Sequence, residues 1–183
     1  MPADIRFKKT LDFLDTYMSE LEGRQTVLDL GVDNQLAMRM RANLGLKVDN
    51  TPLGMDLDVD YSEMVDDYKV FTAFEIFEHL FAPFNLLEHI SGGVLYASVP
   101  LNVWFSPSYW NKEDKLDRHY HEFEVRQFNH LLDRTGWKLQ AYEVWTTPDK
   151  FRVGIRPFLR YIFPSYYIVK AVKGQGMFTT SSL

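Results

Sequence analysis

Thr26-Val27-Leu28-Asp29-Leu30-Gly31 is the stretch on which the fold assignment depends. It is a short apolar run that contains one acid and ends at a glycine, a pattern typical of a buried strand followed by a tight turn. Gly31 has no Cβ, so the backbone there can approach a ligand closely. The stretch therefore predicts a first strand whose carboxyl end contributes to a binding site.

The segments on either side of this strand have the periodicity of helices. Before it, apolar residues recur at spacings of three and four, and Gly23 marks the end of the predicted amphipathic helix. After it, residues 35–43 are predicted to be helical and residues 46–49 to form a second strand. The apolar face of the first helix consists of Leu11, Leu14, Met18 and Leu21.

The rest of the chain continues this alternation. Apolar, β-prone runs predict strands, and runs with helical spacing predict helices. Residues 50–67 are polar and acidic, and they are too few to hold a complete helix and a further strand. The predicted strands are 68–74, 94–100, 137–145 and 166–172, and the predicted helices are 84–90 and 124–135.

Strands that alternate with helices across short turns predict an α/β, Rossmann-like, doubly wound fold. We expect a single domain over residues 1–183, built on a mostly parallel sheet. Residues 26–31, 69–73 and 94–99 are expected to be adjacent parallel strands, because right-handed crossovers place them side by side. The small and polar residues 174–183 are expected to form a flexible tail.

The composition excludes several classes of protein. The 183 residues are 46% hydrophobic and carry a formal charge of −5, so the chain is not of the disordered class. With a pI of about 5.5, no broad nucleic-acid-binding surface is expected. The absence of cysteine excludes disulfides and thiolate metal sites. No secretory signal and no membrane-spanning run is evident, so the expected location is the cytoplasm.

Two strand ends are the expected place of a ligand. In an open α/β sheet, ligands bind at the carboxyl ends of the strands where the strand order reverses. Two strands are expected to flank that point. Gly31 is at the end of the first, and Phe74 is at the end of the second. Residues 101–120 follow the next strand at the same edge, and their charged centre between aromatic shoulders predicts a lid. The aromatic cluster of this loop is more typical of packing within a lid than of a platform for a substrate; it consists of Trp104, Phe105, Tyr109 and Trp110.

Four segments, in chain order, resemble one known family. The first strand is similar to the start of the motif D-x-G-x-G-x-G, and the segment after the central strand is similar to E-V-x-E-H-L-x-x-P. A glycine-led strand and an H-x-H-x-F segment follow. On these motifs the chain resembles the class I S-adenosylmethionine-dependent methyltransferases, in particular their small type 11 and type 23 members. The resemblance implies a mostly parallel, seven-stranded sheet with one antiparallel edge strand. The segments are Val27–Gly31, Phe74–Leu80 with Pro83, Gly92–Pro100, and His119–Phe123 with Leu131, Leu132, Gly136 and Trp137.

The resemblance implies a cofactor, S-adenosylmethionine, and roles for the residues that would bind it. Asp29 would orient the ammonium of the methionine part, and Gly31 would admit the cofactor beside the backbone. Asp49 stands where the family has an acid for the ribose hydroxyls. Phe74 and Glu75 would lie beside the cofactor, where aromatic rings and carboxylates favour the cationic sulfonium.

The sequence also departs from the family motif. Asp33 and Gln35 replace its second and third glycines. A carboxylate at Asp33 would repel the carboxylate of the cofactor unless it points away, whereas Asn34 tolerates the left-handed backbone. In the short segment after the second strand, Asp56 or Asp58 is the candidate for the adenine contact.

Three histidines are candidates for catalysis. His119 and His121 lie at the end of the lid, and His79 lies in the segment after the central strand. Histidine titrates near neutral pH and can accept the proton of a hydroxyl or amine. The structural alternatives are that Glu75 and His79 form a helix-surface pair, that His79 bonds a carbonyl, and that Asp29 bonds a neighbouring loop.

These observations lead to two main hypotheses about function and a weaker third. The first is methyl transfer to a small-molecule acceptor, and the second is a binding or regulatory module that has lost turnover, which Asp33 and Gln35 favour. The third is a metal hydrolase that would use Glu75, His79, His119 and His121 as ligands. No pattern of residues that would support such ligands accompanies them, so the sequence assigns no metal ligand. An arginine stripe at 152, 156 and 160 is most typical of a solvated face, and Pro157 is expected to interrupt its helix. The sequence predicts no oligomeric state.

Overall fold

The computed structural model describes residues 3–18, 26–105, 109–114, 117–146 and 155–174. The predicted helix end at Leu21 and Gly23 lies outside these ranges, and so does the expected tail beyond Gly174. Within them, no helix combines the length and the apolar character that crossing a bilayer requires.

One sheet of six strands organises the chain, in the order β2-β1-β3-β4-β6-β5. The first four run parallel to one another, and β6 runs antiparallel between β4 and β5 at the far end. Val27 pairs with Val70, and Val70 pairs with Val94. The predicted adjacency of the three central strands is therefore confirmed. The strands are β1 (Val27–Asp29), β2 (Val48–Asn50), β3 (Val70–Phe74), β4 (Gly93–Pro100), β5 (Lys138–Trp145) and β6 (Tyr166–Lys173).

Within the described residues the sheet has six strands and not the seven expected from the family resemblance. The missing strand falls between Asn50 and Val70, where the chain forms turns and a single four-residue helix. A crossover helix and another parallel strand need more residues than this segment contains. β2 is therefore the edge strand on this side of the sheet, and the strand order reverses between the neighbouring strands β1 and β3.

Helices cover both faces of the sheet. α1 and α2 pack on one face with Val27, Val70 and Tyr96. α3, α4 and α5 pack on the other, where Leu28 and Phe71 point. Because neighbouring residues of a strand face opposite sides, β1 and β3 contribute to both cores. The helices are α1 (Ala3–Met18), α2 (Gln35–Leu44), α3 (Ser62–Val65), α4 (Pro83–His89), α5 (Val125–Arg134) and α6 (Ile155–Ile162), with a 3₁₀ turn at Phe77–His79.

The turn between β1 and α2 differs from the expected one. Asn34 has φ −146° and ψ −179°, which is extended and not left-handed backbone. Its side-chain oxygen accepts hydrogen bonds from the N–H groups of Leu36 at 2.8 Å and Ala37 at 3.1 Å. Asn34 is therefore the N-cap of α2, a position that asparagine favours because its side chain satisfies free N–H groups.

Pro157 does not interrupt its helix, contrary to the sequence expectation. α6 spans Ile155–Ile162 and continues through Pro157. Proline has no backbone N–H to donate, and the described helix nevertheless runs past it. Arg152 lies outside the described residues, and the side chains of Arg156 and Arg160 are not described either.

Candidate functional site

A cleft of about 510 Å³ lies at the carboxyl edge of the sheet, where the strand order reverses. Its walls come from the residues that follow β1, β2 and β3 and from the loop after β4. This is the position at which open α/β sheets bind ligands, and the volume is that of a small-molecule site. Several of the residues assigned from the sequence line it: Gly31, Asp56, Asp58, Glu75 and His79.

Asp29 ends β1 beside the cleft but is itself buried. Its Oδ1 accepts a hydrogen bond from the Thr72 hydroxyl at 2.8 Å, and its Oδ2 accepts one from the Asn50 side chain at 2.9 Å. Oδ2 lies 3.4 Å from where a Cβ on Gly31 would stand. The carboxylate thus joins three neighbouring strands directly beside Gly31.

Burial raises the pKa of the Asp29 carboxyl to about 7, although hydrogen bonds from Thr72 and Asn50 oppose the rise. A buried carboxylate without a nearby cation is costly, and protonation removes that cost. A cationic ligand beside Asp29 would have the opposite effect and favour the ionised form.

Asp33 forms an ion pair with Arg41, and neither residue lines the cleft. Its carboxylate pairs with the guanidinium of Arg41 on α2 at 2.8 Å. Arg41 also donates to the Val48 carbonyl oxygen and to the Asn50 side chain. Since Asp33 is held by Arg41, the repulsion expected between it and an anionic ligand group is partly neutralised.

Asp49 and Phe74 are not among the residues that line the cleft. The Asp49 carboxylate accepts a hydrogen bond from the Tyr68 hydroxyl at 2.9 Å. Phe74 packs against the core on the α1 and α2 face. Sequence position at a strand end predicted both residues for the site, but the alternation of side chains along each strand decides which face they take.

Glu75 occupies the turn after β3 in a strained conformation. Among the described residues it is the only one other than glycine with positive φ, at 57°. Its carboxylate forms an ion pair with Arg6 of α1 and accepts a hydrogen bond from the Tyr166 hydroxyl at 3.2 Å. Strain of this kind persists where surrounding contacts hold it and is concentrated at functional sites.

The segment after β2 builds one wall of the cleft through two aspartates. Asp56 lines the cleft, and its Oδ1 accepts the N–H of Asp58 at 2.9 Å. Both carboxylate oxygens of Asp58 accept backbone N–H groups, those of Phe81 and Ala82, each at 2.8 Å. Asp58 therefore ties this wall to the residues that begin α4.

The loop after β4 forms another wall. Asp114, Asp117 and Tyr120 line the cleft, and Asp117 accepts hydrogen bonds from Tyr109 at 2.8 Å and Asn111 at 2.9 Å. The described part of the predicted lid thus borders the cleft. The exposed Trp104 packs instead against Phe105 and Phe163.

The three candidate histidines lie close to one another but in different environments. His79 Nδ1 lies 3.1 Å from the Arg118 carbonyl oxygen, and the His79 and His119 rings meet edge to face at 4.8 Å. Burial lowers the pKa of His119, and the neighbouring His79 lowers it further. His121 Nε2 lies 3.2 Å from the Phe81 carbonyl oxygen. Neither His119 nor His121 is among the cleft-lining residues.

Glu78 is a residue that the sequence analysis did not assign. It is completely buried, and burial raises the pKa of its carboxyl well above the usual range. Its carbonyl oxygen accepts the N–H groups of Tyr120 and His121, at 2.8 and 3.2 Å. The Glu78-His79 pair in the motif was the available signal, but sequence alone does not show that Glu78 points inward.

The charged side chains that line the cleft all carry the same sign of charge. All are acids, and among the described residues no lysine or arginine lines it; the acids are Asp56, Asp58, Glu75, Asp114 and Asp117. A cleft lined by one sign of charge concentrates ligands of the opposite sign. This cleft accordingly favours a ligand that carries a cationic group.

The comparison with solved structures agrees with the fold, whereas no family model and no curated protein matches the sequence. One similar structure is phosphoethanolamine N-methyltransferase 2 of Haemonchus contortus in complex with S-adenosyl-L-methionine, with a TM-score of 0.61, 14% identity, and coverage of 92% of this chain and 53% of that one. Another is an S-adenosylmethionine-dependent methyltransferase from Archaeoglobus fulgidus, with a TM-score of 0.57, 13% identity, and coverage of 91% and 94%.

These likenesses show that the chain has the class I methyltransferase fold, as its motifs predicted. The [4+2]-cyclase SpnF is also similar, with a TM-score of 0.53, 13% identity, and coverage of 90% of this chain and 81% of that one. A fold that also occurs in a cyclase does not by itself determine the reaction, so function must be argued from the cleft.

Proposed function

We propose that this protein binds S-adenosylmethionine in the cleft and transfers its methyl group to a small-molecule acceptor. The observation that carries the proposal is an acid-lined cleft of about 510 Å³ at the strand-order reversal of a class I methyltransferase fold. The bound cofactor would supply a methyl group on a cationic sulfonium for direct displacement by a nucleophile.

The residues present fit such a ligand. Gly31 carries no side chain at the edge of the cleft, and a Cβ there would extend to within 3.4 Å of Asp29. The carboxylates of Glu75 and Asp56 line the cleft and can accept hydrogen bonds or face a cation. Leu57 and Ile76 offer apolar surface for a purine ring.

Positioning would provide most of the catalysis. Methyl transfer is an in-line displacement, and holding the reactants in line contributes strongly to its rate. The walls formed by residues 53–58 and by the loop after β4 would hold the two reactants against each other. His79, His119 and His121 remain the candidates for accepting a proton from the acceptor; the lowered pKa of His119 keeps it neutral at pH 7.

Binding of S-adenosylhomocysteine, the demethylated product, tests the proposal. At a concentration a hundredfold above Kd, a ligand of the native state stabilises it by about 2.7 kcal/mol. For a chain of this size the melting temperature should rise by roughly 5–10 °C. Calorimetry should show one site, and mass spectrometry of the purified protein should detect the bound nucleoside. Absence of any shift at millimolar ligand contradicts the proposal.

The alternative is a binding module that has lost turnover, and one contact bears on it. Arg6 neutralises Glu75, an acid that would otherwise face the sulfonium. The two candidates are separated by supplying radiolabelled S-adenosylmethionine together with an extract of small metabolites. Transfer of label to an extractable compound supports the enzyme. Saturable binding without transfer supports the module.

A further inference from the structure

A cluster of one carboxylate and two imidazoles lies beside the cleft and is not used by the proposed cofactor. The cluster consists of Glu78, His79 and His119. One carboxylate oxygen and two imidazole nitrogens, one atom from each residue, all lie within 4.8 Å of one another. Two of the three come from the 3₁₀ turn after β3, and the third comes from the loop after β4. The cluster therefore bridges the two segments that border the cleft.

Glu78 gives the cluster an unpartnered acid. Both of its carboxylate oxygens are buried without a hydrogen-bond partner, an uncommon condition among the described side chains. Buried polar atoms are nearly always paired, and an exception indicates a missing partner such as an ion or a functional role. The buried and unpaired carboxylate lies within ligand distance of two histidines, which is the arrangement that a cation would complete.

His79 is oriented as a metal-binding histidine is. Because the Arg118 carbonyl oxygen only accepts hydrogen bonds, the His79 Nδ1 at 3.1 Å is the protonated nitrogen. The lone pair then resides on Nε2. Histidine ligands commonly donate their other N–H to a backbone carbonyl, which fixes the tautomer and the ring orientation. Arg118 itself is held by hydrogen bonds to the carbonyl oxygens of Asn111 and Lys112.

We propose that Glu78, His79 and His119 bind a divalent first-row transition-metal ion at the side of the cleft. Two imidazole nitrogens and one carboxylate oxygen suit Zn²⁺, Mn²⁺ or Fe²⁺, whereas Mg²⁺ prefers oxygen ligands alone. Metal–ligand bonds of about 2.1 Å place two ligand atoms at most about 4.2 Å apart. The three ligand atoms lie within 4.8 Å of one another, so binding the ion requires at most a small inward movement of the side chains.

The ion would border the cleft because His79 also lines it. Three protein ligands leave at least one coordination position for water or for an oxygen of a bound molecule. The ion takes the lone pairs of His79 and His119, so in the metal-bound protein only His121 remains as a candidate base. Glu75 and His121, which the hydrolase hypothesis included, stay outside the cluster, since Glu75 pairs with Arg6 and His121 contacts Phe81.

Metal titration of the intact protein tests the proposal. Protein stripped with EDTA and dialysed should bind one equivalent of Zn²⁺ in calorimetry at pH 7.5. Co²⁺ should give visible absorption bands typical of low coordination number. Glu78→Gln and His119→Ala should each weaken Zn²⁺ binding by at least about tenfold. His130→Ala, which removes an exposed histidine of α5, should leave the affinity unchanged.

Three results would overturn the proposal. They are no Zn²⁺ binding up to millimolar concentration, unchanged affinity in both variants, and equal affinity for Mg²⁺. Thermal unfolding shows whether each variant is folded; if Glu78→Gln is not, His119→Ala decides, because its half-exposed loop position tolerates truncation. Binding of S-adenosylhomocysteine measured in EDTA keeps this outcome separate from that of the proposed function.

Discussion

Asp29 is a single residue that both holds neighbouring strands together and is the candidate for binding the cofactor. In the family resemblance its role is to orient the cofactor's ammonium, and in the structure it accepts hydrogen bonds from Thr72 and Asn50 on the two flanking strands. The two roles are compatible, because a carboxylate has about four lone-pair positions and these contacts fill two of them. The buried carboxylate nevertheless makes folding pH-dependent.

We expect Asp29 to make the protein less stable as the pH rises. The folded pKa of about 7 exceeds the ordinary aspartate value of 3.8, so the folded state holds the proton more tightly than the unfolded state. At pH values between these two pKa values, the free energy of unfolding falls as the pH rises. The fall is at most about 1.4 kcal/mol per pH unit. Asp29→Asn, which mimics the protonated form, should remove this slope.

Urea unfolding of the wild type and Asp29→Asn from pH 5 to pH 8 measures the effect. The difference between the two free energies isolates Asp29 from Glu78 and His119, which titrate in both proteins. The variant should gain stability relative to the wild type as the pH increases. Parallel curves would show that the carboxyl keeps an ordinary pKa.

Gly31 should matter for ligand binding and not for folding. Its φ is not in the left-handed region, and the nearest atoms to an added Cβ lie at 3.4–3.8 Å, which is ordinary contact distance. Gly31→Ala should therefore leave the melting temperature within a few degrees of the wild type. The added methyl group enters the cleft edge, so affinity for S-adenosylhomocysteine should fall at least about tenfold. Unchanged affinity would move the ligand away from β1.

At the scale of elements, Asp58 should stabilise the wall of the cleft. Its two hydrogen bonds to the N–H groups of Phe81 and Ala82 resemble a helix N-cap, whose loss costs about 1–2 kcal/mol. Asp58→Ala should lower the free energy of unfolding in urea by that amount. The matched control is the exposed Asp60, whose side chain accepts only a 3.3 Å hydrogen bond from Asp56 N–H. Equal effects of Asp58→Ala and Asp60→Ala would contradict the assignment.

The sequence predicted the elements better than their ends. β3 and β4 were evident because buried parallel strands are apolar runs, and α5 because it alternates an apolar and a polar face. The second strand was predicted at 46–49, but β2 is Val48–Asn50. This shift makes Asn50, and not Asp49, the last residue of β2, and Asn50 is the one that contacts Asp29. A one-residue change in a strand exchanges its two faces, and local pattern cannot resolve it.

At the scale of the whole molecule, the topology followed from the order of motifs, but the long-range pairs did not. Right-handed crossovers and short turns restrict the sheet to few arrangements, so β1, β3 and β4 were correctly placed. Nothing in the local sequence indicates that Arg6 pairs with Glu75, 69 positions away. Nor does it indicate that His119 meets His79. Such contacts arise from the packing of distant elements, which periodicity does not encode.

The pairing of Arg6 with Glu75 connects both ends of the chain to the cleft. The Arg6 guanidinium also donates to the Tyr166 hydroxyl of β6 at 2.8 Å. α1, the turn after β3 and β6 thus share one charge network at the edge of the site. Since the pair is partly buried, Arg6 sets how much of the Glu75 charge a ligand experiences.

This arrangement predicts an effect on discrimination between cofactor and product. S-adenosylmethionine carries a cationic sulfonium, whereas S-adenosylhomocysteine has a neutral thioether. Arg6→Met removes a positive charge beside Glu75, so it should favour the cofactor over the product. Two charges about 4 Å apart at high dielectric interact by about 1 kcal/mol. The Kd of the cofactor divided by the Kd of the product should therefore fall roughly fivefold.

Calorimetric Kd values for both ligands measure this ratio, and three further variants make it specific. Lys8→Met removes an exposed lysine of the same helix that pairs only with Asp12 among the described contacts, and it should leave the ratio unchanged. Glu75→Gln should raise the ratio, because it removes the negative charge and leaves Arg6 near the sulfonium. The double variant Arg6→Met/Glu75→Gln restores neutrality and should return the ratio towards the wild-type value. If the wild type and all four variants share one ratio, the sulfonium lies too far from Glu75 to experience its charge, and the cofactor must bind in a different orientation from the one proposed.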